Sequence, residues 1–154
     1  MCIRDRESGA ESSGMQPVVV VHEDAHYCIE RAIGVMGLGT NQLVRVAVDD
    51  QRRMSAHALN HVLSDLRQRS VPVLAVVSVA GSTACGAFDT LREVARVCDR
   101  YGVWLHVDAA HGGALRFSDS HRSKLDGLEL ADSVVVDAHT VSYTHLTLPT
   151  ILRV

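Results

Sequence analysis

Aromatic side chains are scarce, at 4% of 154 residues, and the net charge is −3. Few stacking platforms and no basic stripe exclude the usual means of gripping nucleic acid, so no such partner is expected. Long apolar runs are missing too. The longest, "PVVVV" and "VPVLAVVSVA", fall well short of the ~20 residues of a membrane span. The first residues carry no apolar stretch of signal-peptide type, so the expectation is a cytoplasmic protein with no membrane partner. The four cysteines, Cys2, Cys28, Cys85 and Cys98, contain no C-x-x-C pair and no dense framework. A structural zinc site and a disulfide scaffold are therefore disfavoured, and the cysteines read as reduced thiols. What remains is an ordinary globular composition, 47% apolar and 21% charged, enough for one domain core.

From Gln16 onward, short β-branched runs alternate with longer amphipathic stretches, the pattern of β-α-β units around a parallel sheet. Strands are predicted at 18–22, 43–48, 73–78, 103–107 and 133–136. Helices are predicted at 26–36, 55–69 and 90–101, with a shorter one within 121–128. The fold class is α/β, a three-layer, mostly parallel sheet flanked by helices. "LAVVSV" and "SVVVDA", apolar on successive residues, are expected to be covered on both faces. Asp89 fits the N-cap of the helix that follows it, and Gly102 its C-terminal stop.

The two ends differ in character from the middle. Back-translated as ATG TGT ATA AGA GAC, "MCIRD" is the reverse complement, over most of its length, of "VSYTH" as GTC TCT TAT ACA CAT. The shared string resembles a transposase end sequence used in library preparation, and "LTLPT" fits the adapter beyond it. Residues 1–6 and 140–154 are accordingly read as adapter-derived scars, leaving 7–139 as native sequence.

Polar groups recur at predicted strand ends, where open parallel sheets gather their sites. In "LHVDAA", Asp108 ends a nearly all-apolar strand, where a lone charge is costly and calls for a cationic partner. It either caps the next loop or pairs with a protonated ring nitrogen. Ala109, Ala110, Gly112 and Gly113 leave room for a flat ring, or supply plain turn chemistry. His26 opens a helix after the first strand and reads either as a helix-start histidine or as a cover for a ring face. Thr83, in the small-residue loop "GSTACGAF", either offers hydroxyl and amide donors to a ligand or belongs to a simple turn. The i, i+4 pairs His22/His26 and His57/His61 have a chelating spacing. With no accompanying carboxylate cluster, they read as strand-end and solvated-helix residues, so no metal site is expected.

Together "AHYCIERA", "AGSTACGAFDTLREVARVCDRYGVWLHVDAAHGGAL", "HRSKLDGLELADSV" and "DAH" resemble the pyridoxal-phosphate-dependent group II amino-acid decarboxylases, over nearly all of 7–139. The resemblance implies part of the large domain of a fold-type I enzyme, a pyridoxal 5'-phosphate cofactor, an amino-acid substrate and a homodimeric parent. It implies a carboxy-lyase that works through an external aldimine. By it, His26 stacks on the pyridine ring, Asp108 pairs with the ring nitrogen, Ala110 packs against the ring and Thr83 lies in the cofactor pocket. His139 then immediately precedes the lysine that carries the cofactor.

At that position the chain has Thr140, and Lys124 is its only lysine. No catalytic residue is retained, and the fragment is expected to be inactive. The adapter reading accounts for Thr140 as a lysine codon cut after its first base. The alternatives are another fold-type I enzyme, such as an aminotransferase or desulfurase, a lysine-free noncatalytic pseudoenzyme, and, more remotely, a metal-dependent hydrolase built on His22/His26 or His106/His111.

Overall fold

The computed structural model describes residues 7, 9 and 15–137. Among them five parallel strands, β1 (Val18–His22), β2 (Leu43–Val46), β3 (Val73–Val79), β4 (Trp104–Asp108) and β5 (Ser133–Val135), form one sheet in the order β2-β1-β3-β4-β5. Three helices, α1 (Tyr27–Val35), α2 (Ala56–Gln68) and α3 (Leu91–Tyr101), connect them. The expected α/β arrangement is what forms.

Alternation along the strands separates two cores. Val18, Val20, Val46, Val76, Leu105 and Val107 point to the side that α2 and α3 cover with Leu59, Leu63, Val94 and Cys98. Val19, Val21 and Val77 point to the other side, where Ile33 and Ile29 of α1 meet them. Leu59, Leu63 and Leu66 recur at helical spacing on α2, whose first turn Ser55 caps by accepting from the Ala58 N–H at 3.2 Å. Gly102 ends α3 in the left-handed conformation, φ 65°, as glycine permits.

Three expectations need correction. First, β5 is not covered on both faces: Val134, Val135 and Val136 are 40%, 39% and 57% exposed. It is the last strand of the described sheet, and the cluster on the α1 side gathers residues of β1, β2 and β3 but none of β5. Leu74, at the start of "LAVVSV", and Trp104, at the start of β4, are also half exposed. Second, 121–128 holds no α-helix but a 3-10 turn, Arg122–Leu125, followed after Gly127 by another, Leu128–Leu130. Gly127 (φ +93°) breaks the run where the loop meets α3, and a Cβ there would lie 2.4 Å from the Arg92 nitrogen. Third, Asp89 does not cap α3. The N-cap is Thr90, without a side-chain capping bond, while Asp89 is buried and accepts from Met54 N–H (2.7 Å), Val79 N–H (2.8 Å) and Ser78 Oγ–H (2.6 Å).

The strand order places a topological switch between β1 and β3, because the chain leaves β1 for β2 on one side and returns to β3 on the other. Ligands of open parallel sheets bind beyond the carboxyl ends of strands at such a point.

Candidate functional site

A cleft of about 440 Å³ opens at that switch point, within the size range of small-molecule sites. Asp24 and His26 line it from the β1–α1 turn, Cys28 and Ile29 from the first turn of α1, Gly81, Ser82 and Thr83 from the loop after β3, and Asp108, Ala110 and His111 from the end of β4. Val135 and Asp137 complete it from β5. Four residues singled out in the sequence, His26, Thr83, Asp108 and Ala110, thus converge from three strand ends. His139 and Thr140 lie outside the described residues.

Asp108 is half-buried, and its Oδ1 accepts from the Ala110 N–H at 3.1 Å. That bond is the loop-capping role. Among the described residues no Lys, Arg or His forms an ion pair with it, so the carboxylate keeps its charge available to the cleft. Its charge is felt locally: the Cys28 thiol is pushed above its ordinary 9.0, first by burial and then by Asp108. The protonated form of Cys28, an exposed residue at the cleft wall, is thereby favoured over the thiolate.

His26 is the N-cap of α1, with Nδ1 accepting from the Cys28 N–H at 3.4 Å and its ring 4.3 Å from that of Tyr27. The helix-start reading holds, and the same placement sets an aromatic ring in the wall of the cleft. The loop carrying Thr83 is closed by Gly81 and Ser82 N–H groups donating to the Ala87 carbonyl (2.9 and 2.8 Å). Buried Ser82 anchors it further, its Oγ accepting from the Ala87 N–H at 3.1 Å, so exposed Thr83 stands on a fixed base.

The glycines after Asp108 serve packing. A Cβ on Gly112 would lie 2.2 Å from the Ala80 carbonyl oxygen and 2.5 Å from Phe88, and one on Gly113 would meet Val136 at 2.9 Å. Ala109 is fully buried in the core. Of the four small residues only Ala110 faces the cleft.

The histidine pairs divide. His22 is buried at the β1 end, while His57 and His61 touch through their Nε2 atoms at 3.2 Å on the exposed face of α2. Among the described residues no three His, Cys, Asp or Glu side chains converge as a metal site, and no helix is long and apolar enough to cross a membrane. Asp24, Cys28, Ser82 and Asp137 were not singled out as site residues, and His111 entered only as one half of the remote His106/His111 metal pair. Asp24, Ser82 and Asp137 follow strand ends, so the rule that found Asp108 would have reached them.

Lys124 lines a different cavity, with Phe88, Arg92 and Asp126 among its walls, and its Nζ lies 5.4 Å from the Phe88 ring centroid.

Residues 3–152 match the family model described as the pyridoxal-dependent decarboxylase conserved domain. The chain is 36% identical over 135 residues to L-2,4-diaminobutyrate decarboxylase of Acinetobacter baumannii, covering 87% of this chain and 26% of that protein. It is 40% identical over 125 residues to aspartate 1-decarboxylase of Aliivibrio fischeri, covering 81% and 23%. Among solved structures, it is similar to the glutamate decarboxylase domain of diaminobutyrate-pyruvate transaminase and L-2,4-diaminobutyrate decarboxylase from Vibrio parahaemolyticus. There the TM-score is 0.79 at 31% identity, covering 86% of this chain and 28% of that one. The chain thus spans about a quarter of the length of the curated relatives it matches. With this match over most of its length, a fold shared with that solved structure and the cleft at its switch point, the chain belongs to the pyridoxal-dependent decarboxylase family.

Proposed function

We propose that the protein to which this chain belongs is a pyridoxal-phosphate-dependent amino-acid decarboxylase, and that the switch-point cleft is part of its cofactor site. The carrying observation is Asp108: a half-buried carboxylate at a strand end, held by one backbone N–H and without a cationic partner among the described residues. That is the environment in which a protonated pyridine nitrogen is the missing cation. The cleft fits the group in size, in its aromatic wall at His26 and in the small side chain of Ala110 beside the carboxylate.

When bound, pyridoxal phosphate supplies an electron sink for the electron pair left as carbon dioxide departs. The residues of this chain prepare that step. Asp108 holds the proton on the ring nitrogen by a charge-assisted hydrogen bond, His26 and Ala110 fix the ring plane, and Thr83 offers its hydroxyl at the rim. By resemblance His139 lies beside the cofactor, next to the lysine that Thr140 replaces, and the chain as it stands lacks catalysis for want of that amine.

The same reading assigns residues 7–139 to a partial large domain, 1–6 and 140–154 to adapter sequence, and the intact protein to a cytoplasmic homodimer. The complementarity of the two back-translated ends supports the boundaries, and sequencing the genomic locus across codon 140 tests them: a native threonine there would refute them. For the activity, full-length protein loaded with cofactor and offered acidic and diamino amino acids is expected to release carbon dioxide and the corresponding amine. Keto-acid or aldehyde formation without carbon dioxide would overturn the assignment.

A further inference from the structure

Beside the cleft lies a polar cluster, buried at one end and open at the other, to which the proposed chemistry assigns no task. His22, at the end of β1, is fully buried. Its Nδ1 lies 2.8 Å from the Asp24 backbone nitrogen, and its Nε2 lies 3.1 Å from the Arg52 carbonyl oxygen. An amide N–H can only donate, so Nδ1 must be an unprotonated acceptor and the ring is neutral with its proton on Nε2. A protonated ring would set two donors against each other at Nδ1. The 3.4 Å approach of Nε2 to Asp89 Oδ1 is therefore not an ion pair, and Asp89 is satisfied by its three other donors.

Arg52 closes the circuit. Its guanidinium grips the Asp24 carboxylate with two donors, Nε to Oδ2 at 2.9 Å and a second, shorter contact to Oδ1. Arg52 also has φ +59°, a left-handed conformation that a side-chain-bearing residue keeps only where its surroundings hold it. Here they do: its N–H donates to the Asp49 carbonyl at 2.9 Å and its own carbonyl receives the His22 proton. His22, Asp24 and Arg52 thus form a closed ring of contacts between the β1 end and the 49–54 loop. Asp24 lines the cleft and stands two residues before His26, which lines it too.

We infer that His22 and Arg52 are positioning residues that clamp the 24–26 turn, and through it the His26 ring, against the cleft. The inference rests on the cleft being the cofactor site. Neither residue touches the cofactor. His22 works as a two-ended spacer whose tautomer is fixed by the Asp24 N–H, and Arg52 holds the turn from outside by a planar fork that lysine does not reproduce.

The test uses full-length protein and reads pyridoxal phosphate affinity by absorbance titration, visible circular dichroism of the bound cofactor, and the thermal midpoint of the apo-protein. His22→Leu removes both ends of the spacer, and His22→Asn restores an acceptor to the Asp24 N–H, two residues ahead. Arg52→Lys keeps the charge and loses the fork. The expected result is an affinity loss of at least about tenfold for His22→Leu and for Arg52→Lys, with an altered dichroic band. His22→Asn should remain within about threefold of the parent, and the double variant His22→Leu/Arg52→Lys should be little worse than either single one. Arg52 lies at the surface, so its variant reports even where His22→Leu fails to fold. Unchanged affinity and dichroism in Arg52→Lys, or His22→Asn no better than His22→Leu, would overturn the clamp alone. A parent protein that binds no pyridoxal phosphate would overturn the cofactor reading as well.

Discussion

At the scale of single residues, the site depends on charges left available by the fold. Asp108→Asn keeps the acceptor for the Ala110 N–H and removes the charge. In the full-length protein it is expected to weaken pyridoxal phosphate binding by about 1.5–3 kcal/mol, the range of a hydrogen bond to a charged group, read as a shift in the absorbance titration with little change in thermal midpoint. An undiminished affinity would remove Asp108 from the cofactor site. A second residue prediction concerns Cys98, whose thiol burial and nearby Asp132 push up to about 12 from an ordinary 9.0. The folded state therefore holds the proton that the unfolded chain releases. The thiol's contribution to stability is fully present below about 9 and is lost as pH rises toward about 12. Between those values Cys98→Ala should lose stability less steeply with pH than the parent in urea melts, and parallel slopes would refute the assignment. Asp108, Thr83 and His26 were legible because strand ends announce themselves in sequence. Asp89 reads as a cap in sequence because its donors lie outside the local window, Ser78 and Val79 on β3 and Met54 35 residues away, and no local pattern encodes them.

At the scale of elements, hydrophobic periodicity located the five strands of the described sheet and the three helices that connect them, since each buries a stripe or face that sequence spacing records. The miss at 121–128 has a definite cause. That segment is held not by a helical stripe but by contacts with α3: Arg92 donates to Asp126 (2.9 and 2.7 Å) and to Glu129 (2.7 Å), and Gly127 lies against the Arg92 backbone. The Arg92 guanidinium holds Asp126 below its ordinary 3.8. This exposed pairing is present above that value and fades as pH falls below it. Gly127→Ala adds a Cβ that meets backbone and imposes a left-handed φ on alanine. It is expected to cost about 1–3 kcal/mol, seen as a lower midpoint in thermal denaturation, while Arg92→Lys should cost much less because surface pairs are screened. Equal effects would place the loop's anchor in the ion pairs instead of the close backbone contact.

At the scale of the whole molecule, the sheet order decides what the lone lysine can do. The cleft opens where β1, β3 and β4 end, whereas Lys124 follows the loop after β4 to the other side of Phe88 and lines a separate cavity with Arg92 and Asp126. An amine there is a cation beside a ring, not a group poised over Asp108. Incubating the 154-residue chain with pyridoxal phosphate and reducing with borohydride is therefore expected to leave the Lys124 peptide unlabelled by mass spectrometry. If the proposed function holds, the full-length protein, treated alike, carries the label on a lysine directly after His139. A stoichiometric adduct at Lys124 in the short chain would mean that the cofactor reaches the α3 side of the molecule. The switch-point cleft would then have to yield its role to that second cavity. The outcome turns on topology, which no residue pattern around Lys124 reveals, because "HRSKLDG" reads the same on either side of the sheet.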